Sequence, residues 1–432
     1  MASVRAFTTV PARIIIVILA AACLLPVRSV YAAPAPGAYA SIDEHALNAP
    51  ASAEVSVESL VEYLTSDAKT DLEKARAIFR WITANLHYDL TSVNWEDPRD
   101  VDARLILQQR KTVCTGFSET FCILGRAAGL EVERVAGLAK GCTFTGDSLC
   151  SSPPNHEWNA VKIDGKWMLL DLTWATGCMD SDLRFARRYE DFYFCTPPEQ
   201  FIFDHFPVDP DWQLLPKPIS CREYEQLVAL KPAFFKYGLE LDSHHQFDIK
   251  TTGPVEISLI ARQDVVVLAR LTCGKEQVPS SYTLVEKDGD RLKVAAAFPH
   301  PGSYILHLYA KLGNAVGNCK WVADYNIEVT SLSKPCPCFP ESLTAFMEHD
   351  ARLISPRIGR LEEGTSQQFS LSVPGAKVVA VIAGKKWSYL NREGDLFEGT
   401  VEVTDEPMQV CVNFGNSREY QVLLTYNKSA TP

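Results

Sequence analysis

From residue 70 onward, Leu72, Ala75, Ile78, Phe79, Ile82 and Leu86 recur mostly at three- and four-residue steps. That spacing is one apolar face of an α-helix ending near Leu86. Thr70-Asp71-Leu72-Glu73 is a capping box: the Thr hydroxyl takes a first-turn N–H and the Glu side chain reaches back. A second short helix is predicted over Asp102–Gln109, and a third over Gly116–Ala128, closed by Gly129. The period then shortens to that of strands, predicted at Glu131–Leu138, His156–Ile163 and Lys166–Thr173. Asp164-Gly165 between the last two is a two-residue hairpin turn. Helices followed by an antiparallel sheet make an α+β domain. A polar insert, Gly141–Asn155, separates the first two strands.

From about Phe234 the texture becomes alternating strands and Gly, Asp and Pro turns, the pattern of β-sandwiches. The segment carries echoes of itself, the mark of a duplicated module or of chance similarity between alternating strands. Gln246-Phe247-Asp248-Ile249 is echoed by Gln368-Phe369-Ser370-Leu371, Leu284–Asp290 by Tyr389–Asp395, and Tyr325–Val329 by Tyr420–Leu424. Two β-sandwich modules, 234–332 and 333–432, are therefore expected after a connector at 216–233. Cys336-Pro337-Cys338 marks the linker between them. Residues 34–54, rich in Ala, Pro and Ser, are expected to form a flexible lead-in, which leaves 55–215 as the first domain.

Composition narrows the class. The chain has 432 residues, 47% hydrophobic and 22% charged, an ordinary globular balance with room for two or three cores. Its net charge of −11 and the absence of any Lys/Arg block argue against nucleic-acid binding. Arg5 and Arg13, the apolar run Ile14–Leu25 and small residues at Val30, Ala32 and Ala33 have the order of a signal peptide cleaved near Ala32 or Ala33, favoured over an uncleaved anchor because the run is short for a bilayer. The expected product, after loss of residues 1–33, has no membrane span and resides in the secretory lumen or outside the cell.

Of thirteen cysteines, Cys23 leaves with the signal, and in an oxidising compartment most of the rest should pair. Cys142 with Cys150 is the expected staple of the insert. Cys178 with Cys195 and Cys273 with Cys319 are paired on domain membership alone. If Cys114 stays free, eleven remain and one more must lack a partner, for which buried Cys122 is the candidate. A Cys-x-Cys with no second pair nearby is weak grounds for a metal, and neither a metal nor a cofactor site is read from the sequence. Asn427-Lys428-Ser429 is the N-x-S/T sequon.

Three residues carry candidate chemistry. Cys114 stands at the start of the third helix, where unpaired amides and the positive dipole end favour a thiolate and can face an oxyanion. Gly116 lets the backbone approach closely there. His156 opens a strand straight after the insert. Asp171 lies in the apolar run Trp167-Met168-Leu169-Leu170-Asp171-Leu172-Thr173-Trp174, and a carboxylate there is costly unless paired. If Asp164-Gly165 forms the turn, Trp158 falls opposite Asp171 and His156 opposite Thr173. His156 and Asp171 are then diagonal neighbours, roughly 7–8 Å apart. A Cys–His–acid triad needs a nucleophile, a base and a group that holds the base's tautomer. The competing structural reading makes His156 and Asp171 a buried polar pair that pins the hairpin. Trp158, Trp167 and Trp174 are expected in the core or cleft wall, with Tyr88 and Asn159 lining the site.

Three stretches together resemble the transglutaminase-like superfamily, and within it the kyphoscoliosis peptidase group. They are Phe79-Arg80-Trp81-Ile82-Thr83-Ala84-Asn85-Leu86-His87-Tyr88-Asp89, Val113-Cys114-Thr115-Gly116-Phe117-Ser118-Glu119, and His156-Glu157-Trp158-Asn159-Ala160-Val161 with the Trp167–Trp174 strand. The resemblance covers about Val55 to Leu215. The Phe-rich segment Phe192–Phe206 and the β-modules are similar to that group's C-terminal half. It implies a papain-like α+β domain with Cys114 as nucleophile, His156 as base and Asp171 as orienting acid. The superfamily holds peptidases, transglutaminases and inactive binding proteins. The expected activity is therefore a cysteine peptidase, with transglutaminase-type acyl transfer or a non-catalytic scaffold as alternatives. The expected partners are a protein or peptide substrate and proteins docking on the sandwiches. The insert and the signal peptide depart from the group's pattern.

Overall fold

The computed structural model describes residues 37–89, 103–141, 144, 146, 148–179, 184–261, 264–313, 315, 317–332, 337–415 and 419–428. The expected signal peptide, Cys142 and Cys336 lie outside the described residues.

The first domain opens with α1 (Ala40–Leu47), α2 (Val57–Thr65) and α3 (Asp71–Asn85), then β1 (His87–Tyr88), α4 (Ala103–Gln109), β2 (Lys111–Thr112) and α5 (Cys114–Ala127). Strands β3 (Val132–Ala139), β4 (His156–Ile163) and β5 (Lys166–Leu170) follow, then α6 (Leu172–Thr176), β6 (Gly177–Met179), β7 (Phe185–Arg187), α7 (Pro198–Phe201) and β8 (His205–Pro207). Thr70 and Glu73 make the reciprocal capping box at the start of α3. Ala75, Ile78, Phe79 and Ile82 of its apolar stripe are wholly buried, and Leu72 at its start is half-buried. A Schellman motif ends α5: Leu130 N–H reaches Gly125 O at 2.9 Å and Gly129 N–H reaches Arg126 O at 3.0 Å, with Gly129 at φ +77°. The sheet runs β5-β4-β3-β8, all antiparallel, and α5 packs on β3 and β4.

The lead-in is not flexible after residue 39. Ile42 and Ala46 of α1 enter the core, and Asp43 takes two hydrogen bonds from buried Arg76 at 2.6 and 2.7 Å. An ion pair across 33 residues leaves no local signature, so an Ala-rich segment looked like linker.

The two sandwiches repeat one topology. In the first, a four-stranded sheet takes Leu239–Leu241, Val255–Ala261, Arg291–Ala296 and Thr283–Asp288 in that order. Its second counterpart takes Arg352–Ser355, Ser366–Ser372, Leu396–Glu402 and Asn391–Glu393. In both modules the opposing sheet is built on the last strand, Lys320–Val329 or Gln421–Lys428. Each last strand pairs with one short parallel strand and one short antiparallel strand. Of the three sequence echoes only Leu284–Asp290 with Tyr389–Asp395 is in structural register. Both form a hairpin with a two-residue turn, Gly289-Asp290 or Gly394-Asp395. Gln368–Leu371 belongs to the strand equivalent to Val255–Ala261, not to Asp248–Thr251. The pairings Leu230↔Ala323 and Ser342↔Leu424 align Tyr325 with Tyr426 rather than Tyr420, and both of these tyrosines are buried. Any alternating strands resemble one another, so register had to come from pairing.

The first sandwich begins before Phe234. Strand Ala229–Leu230 pairs with Ala323 and Asp324, and Val228 and Leu230 are in its core. The helix before it, α8 (Cys221–Gln226), is gripped from the first domain. Buried Lys140 donates to Tyr224 O at 2.7 Å and Leu227 O at 2.8 Å, and burial, with Lys231 nearby, brings its amine down to about 7. Cys150 is bonded to Cys221, which corrects the expected pairing with Cys142. Cys178, Cys195, Cys273 and Cys319 are free, so those two pairings fail as well. Cys122, Cys338 and Cys411 are also free and buried, acting as small apolar residues. Among the described residues most cysteines are thus unpaired, contrary to expectation.

A fragment starting at Ser220 should therefore melt cooperatively, whereas one starting at Phe234 loses an antiparallel strand and two core residues. Calorimetry of the two fragments checks this, and equal melting would refute it.

Candidate active site

Cys114 is the first residue of α5, two positions earlier than the helix was expected to begin, with Val113 extended before it. The first-turn amides of a helix have no acceptor one full turn back; of those in α5, Gly116 N–H turns to Val113 O at 3.0 Å. Gly116 is required by contact: a Cβ there would lie 1.7 Å from Thr112 Oγ1. His156 opens β4, opposite Gly137 of β3. The β4–β5 hairpin has the expected register, Ile163 facing Lys166, with Asp164 and Gly165 at φ +50° and +76°, the mirror-type turn that matches strand twist.

The ladder stops at Leu170, however, and Asp171 is not a strand residue. It is the N-cap of α6, and its Oδ1 accepts Trp174 N–H at 3.0 Å. Asp171 therefore reaches His156 from a helix cap rather than diagonally across a sheet. Its Oδ2 accepts from His156 Nε2 at 2.7 Å. With Nε2 committed there, Nδ1 is the nitrogen left for Cys114.

The electrostatics follow from burial. Cys114 is 3% exposed, His156 8% and Asp171 0%. Burial by itself lowers the proton affinity of His156. The charge and hydrogen bond of Asp171, with a hydrogen bond and charge from Cys114, outweigh it and hold the ring up at about 10. For Asp171 burial pushes upward, but His156 and His205 hold the carboxyl well below its ordinary range. Burial, with Cys114 and Asp171 nearby, pushes the Tyr88 phenol up to about 12.

His205 and Asp204 were missed by sequence reasoning. His205 Nε2 lies 2.9 Å from the same Asp171 Oδ2, and its Nδ1 lies 2.6 Å from Asp204 Oδ1. Both residues are buried. The available signal was an Asp-His pair set between Phe203 and Phe206, a polar step in an apolar run like the one that drew attention to Asp171. Gly137 admits β8 to this place, since a Cβ there would meet Phe206 O at 2.3 Å and Trp158 Cη2 at 2.4 Å. Ligand atoms of His156, Asp171 and His205 lie within 4.8 Å of one another. They are already engaged with each other by hydrogen bonds rather than splayed around an ion.

Tyr88 is close enough to Cys114 to feel its charge, but Asn159 is not at the site. Its Nδ2 binds Ser118 O, Cys122 Sγ and Glu133 O, tying α5 to the sheet. Trp158 is core, Trp167 packs edge-on against Trp212, and Trp174 stacks on His156 at 5.2 Å.

Residues 58–172 match the model of the transglutaminase-like superfamily. They are a transglutaminase-like domain. Residues 221–340 match the KY-like, immunoglobulin-like domain, whose start coincides with α8 rather than with Phe234. The chain is 34% identical over 259 residues to the kyphoscoliosis peptidase of Mus musculus, covering 59% of this chain and 38% of that protein. It is 33% identical over 262 residues to that of Homo sapiens, covering 60% and 39%. It is 31% identical over 238 residues to the Lim and transglutaminase domain protein ltd-1 of Caenorhabditis elegans, covering 51% and 32%. The chain therefore spans well under half the length of these relatives. Its transglutaminase-like domain is followed by an immunoglobulin-like module and a second β-sandwich.

Proposed function

We propose that the transglutaminase-like domain is a thiol enzyme acting on peptide or glutamine-type amides. The observation that carries this reading is the 2.7 Å bond from His156 to a fully buried Asp171 beside a cysteine at a helix N-terminus. His156 takes the Cys114 proton, and Sγ attacks the amide carbon while the carbonyl pair moves to oxygen, facing first-turn amides of α5. The intermediate collapses, the C–N bond breaks, and His156 returns the proton to the leaving amine. Water or a second amine then attacks the thioester, with His156 again as base, and frees the thiol. Hydrolysis makes the protein a peptidase; amine capture makes it a transglutaminase-type acyltransferase.

The compartment we propose is the secretory lumen or outside the cell. The order of residues 1–33 supports it, as does a disulfide joining positions 71 apart. The immunoglobulin-like module supports binding of protein partners. Among the described residues no helix is long and apolar enough to cross a membrane. A non-catalytic scaffold is the second reading, favoured by the 3% exposure of Cys114.

Mass spectrometry after treatment with a thiol-reactive acyl probe separates the two. The enzyme reading expects labelling at Cys114, its loss in Cys114→Ala with little change in melting temperature, and incorporation of an amine donor if transfer is the reaction. An unlabelled wild-type Cys114 leaves only the scaffold.

A further inference from the structure

Asp171 Oδ2 is shared by two imidazoles, His156 at 2.7 Å and His205 at 2.9 Å. The far nitrogen of His205 faces Asp204 Oδ1 at 2.6 Å. An imidazole with a carboxylate oxygen on each nitrogen carries a hydrogen on both, because a bare nitrogen would set lone pair against lone pair. His205 is therefore an imidazolium, wholly buried between two carboxylates. Tyr193 donates to the other Asp204 oxygen at 3.0 Å, and Phe201 stacks on the ring at 4.0 Å. The array alternates in sign through the interior: His156, Asp171, His205, Asp204.

We propose that His205, held by Asp204, is a positioning residue that fixes the Asp171 carboxylate and limits how tightly His156 holds its proton. This rests on the thiol-enzyme reading above. Two effects follow from a second cation on the same oxygen. The bond from His205 stops the carboxylate rotating about its cap, so His156 keeps its tautomer. The positive charge also half-compensates Asp171, so His156 binds its proton less strongly than beside an uncompensated carboxylate. A base that must return its proton to a leaving amine works better when the proton is not held too hard. Burial makes the charge effective, because little water screens it.

The test uses the full-length protein and needs no substrate. The rate of Cys114 alkylation by iodoacetamide is followed from pH 4 to 11 by mass spectrometry, and the upper limb reports loss of the His156 proton. In His205→Gln and in Asp204→Asn, which removes the anion that keeps His205 charged, the upper limb should move up by about one pH unit, the low end of what a charge within ~6 Å does. The double variant should move no further than either single one. Asp204→Asn is nearly isosteric and serves where His205→Gln folds poorly. A role confined to packing lowers the melting temperature of both variants and leaves the limb where it is, which would overturn the inference while the thiol-enzyme reading stands. A limb that moves down overturns it too. A wild-type Cys114 inert to iodoacetamide overturns both.

Discussion

Asp171→Asn should lower turnover on the order of 10⁴-fold, the effect of an amide that holds the wrong imidazole tautomer and cannot stabilise the imidazolium. A carboxylate whose only partner was His156, as in the strand arrangement expected from sequence, would keep its packing through this change. The structure overturns that. Three donors converge on the carboxylate: His156 and His205 on Oδ2 and Trp174 N–H on Oδ1. An amide offers one oxygen and one NH₂, so either orientation sets a donor against a buried donor. Breaking a buried charge pair this way costs about 3–5 kcal/mol, and the melting temperature should fall along with activity. Because both functional readings expect that fall, Cys114→Ala and not Asp171→Asn separates them.

The same pair sets the pH window of stability. The folded-state proton affinity of His156 is raised from 6.5 to about 10. Its contribution is thus fully present below about pH 6.5 and lost as pH rises through about 10. Asp171 is lowered from 3.8, so its contribution is present above about pH 4 and lost as pH falls. Wild-type melting temperature should decline on both sides of that window. The profile of Asp171→Asn should be flatter, and identical slopes in the two proteins would refute the assignment.

The second large effect is expected from the Cys150–Cys221 bond. It closes a separation of 71 residues, worth about 4 kcal/mol in the chain-entropy treatment. It ties the insert before His156 to α8, where the Glu225 carboxylate also takes Cys150 N–H at 2.8 Å and Ser148 Oγ at 3.0 Å. Cys150→Ser with Cys221→Ser should destabilise the oxidised protein by that order in denaturant unfolding. Peptide mapping under non-reducing conditions should recover Cys150 joined to Cys221. A freely alkylated Cys150 would refute the bond.

Some of this was legible in order of residues alone. The capping box at Thr70, the turn at Asp164-Gly165 and the apolar stripe of α3 are local signals, each satisfied within a few residues, and the elements they predict are present. Cys114, His156 and Asp171 could be named because a helix start and a carboxylate in an apolar run are visible in one dimension. What tertiary structure alone decided was a set of pairings between segments distant in the chain. Asp43 with Arg76, Cys150 with Cys221, Ala229–Leu230 as a strand of the first sandwich, and His205 on Asp171 all join segments between 33 and 95 residues apart. Register between the two sandwiches likewise came from hydrogen-bonded pairing. The physical reason is common to all: period and capping are properties of a segment, whereas the partner of a buried charge, thiol or strand edge is chosen by which surfaces the whole chain brings together.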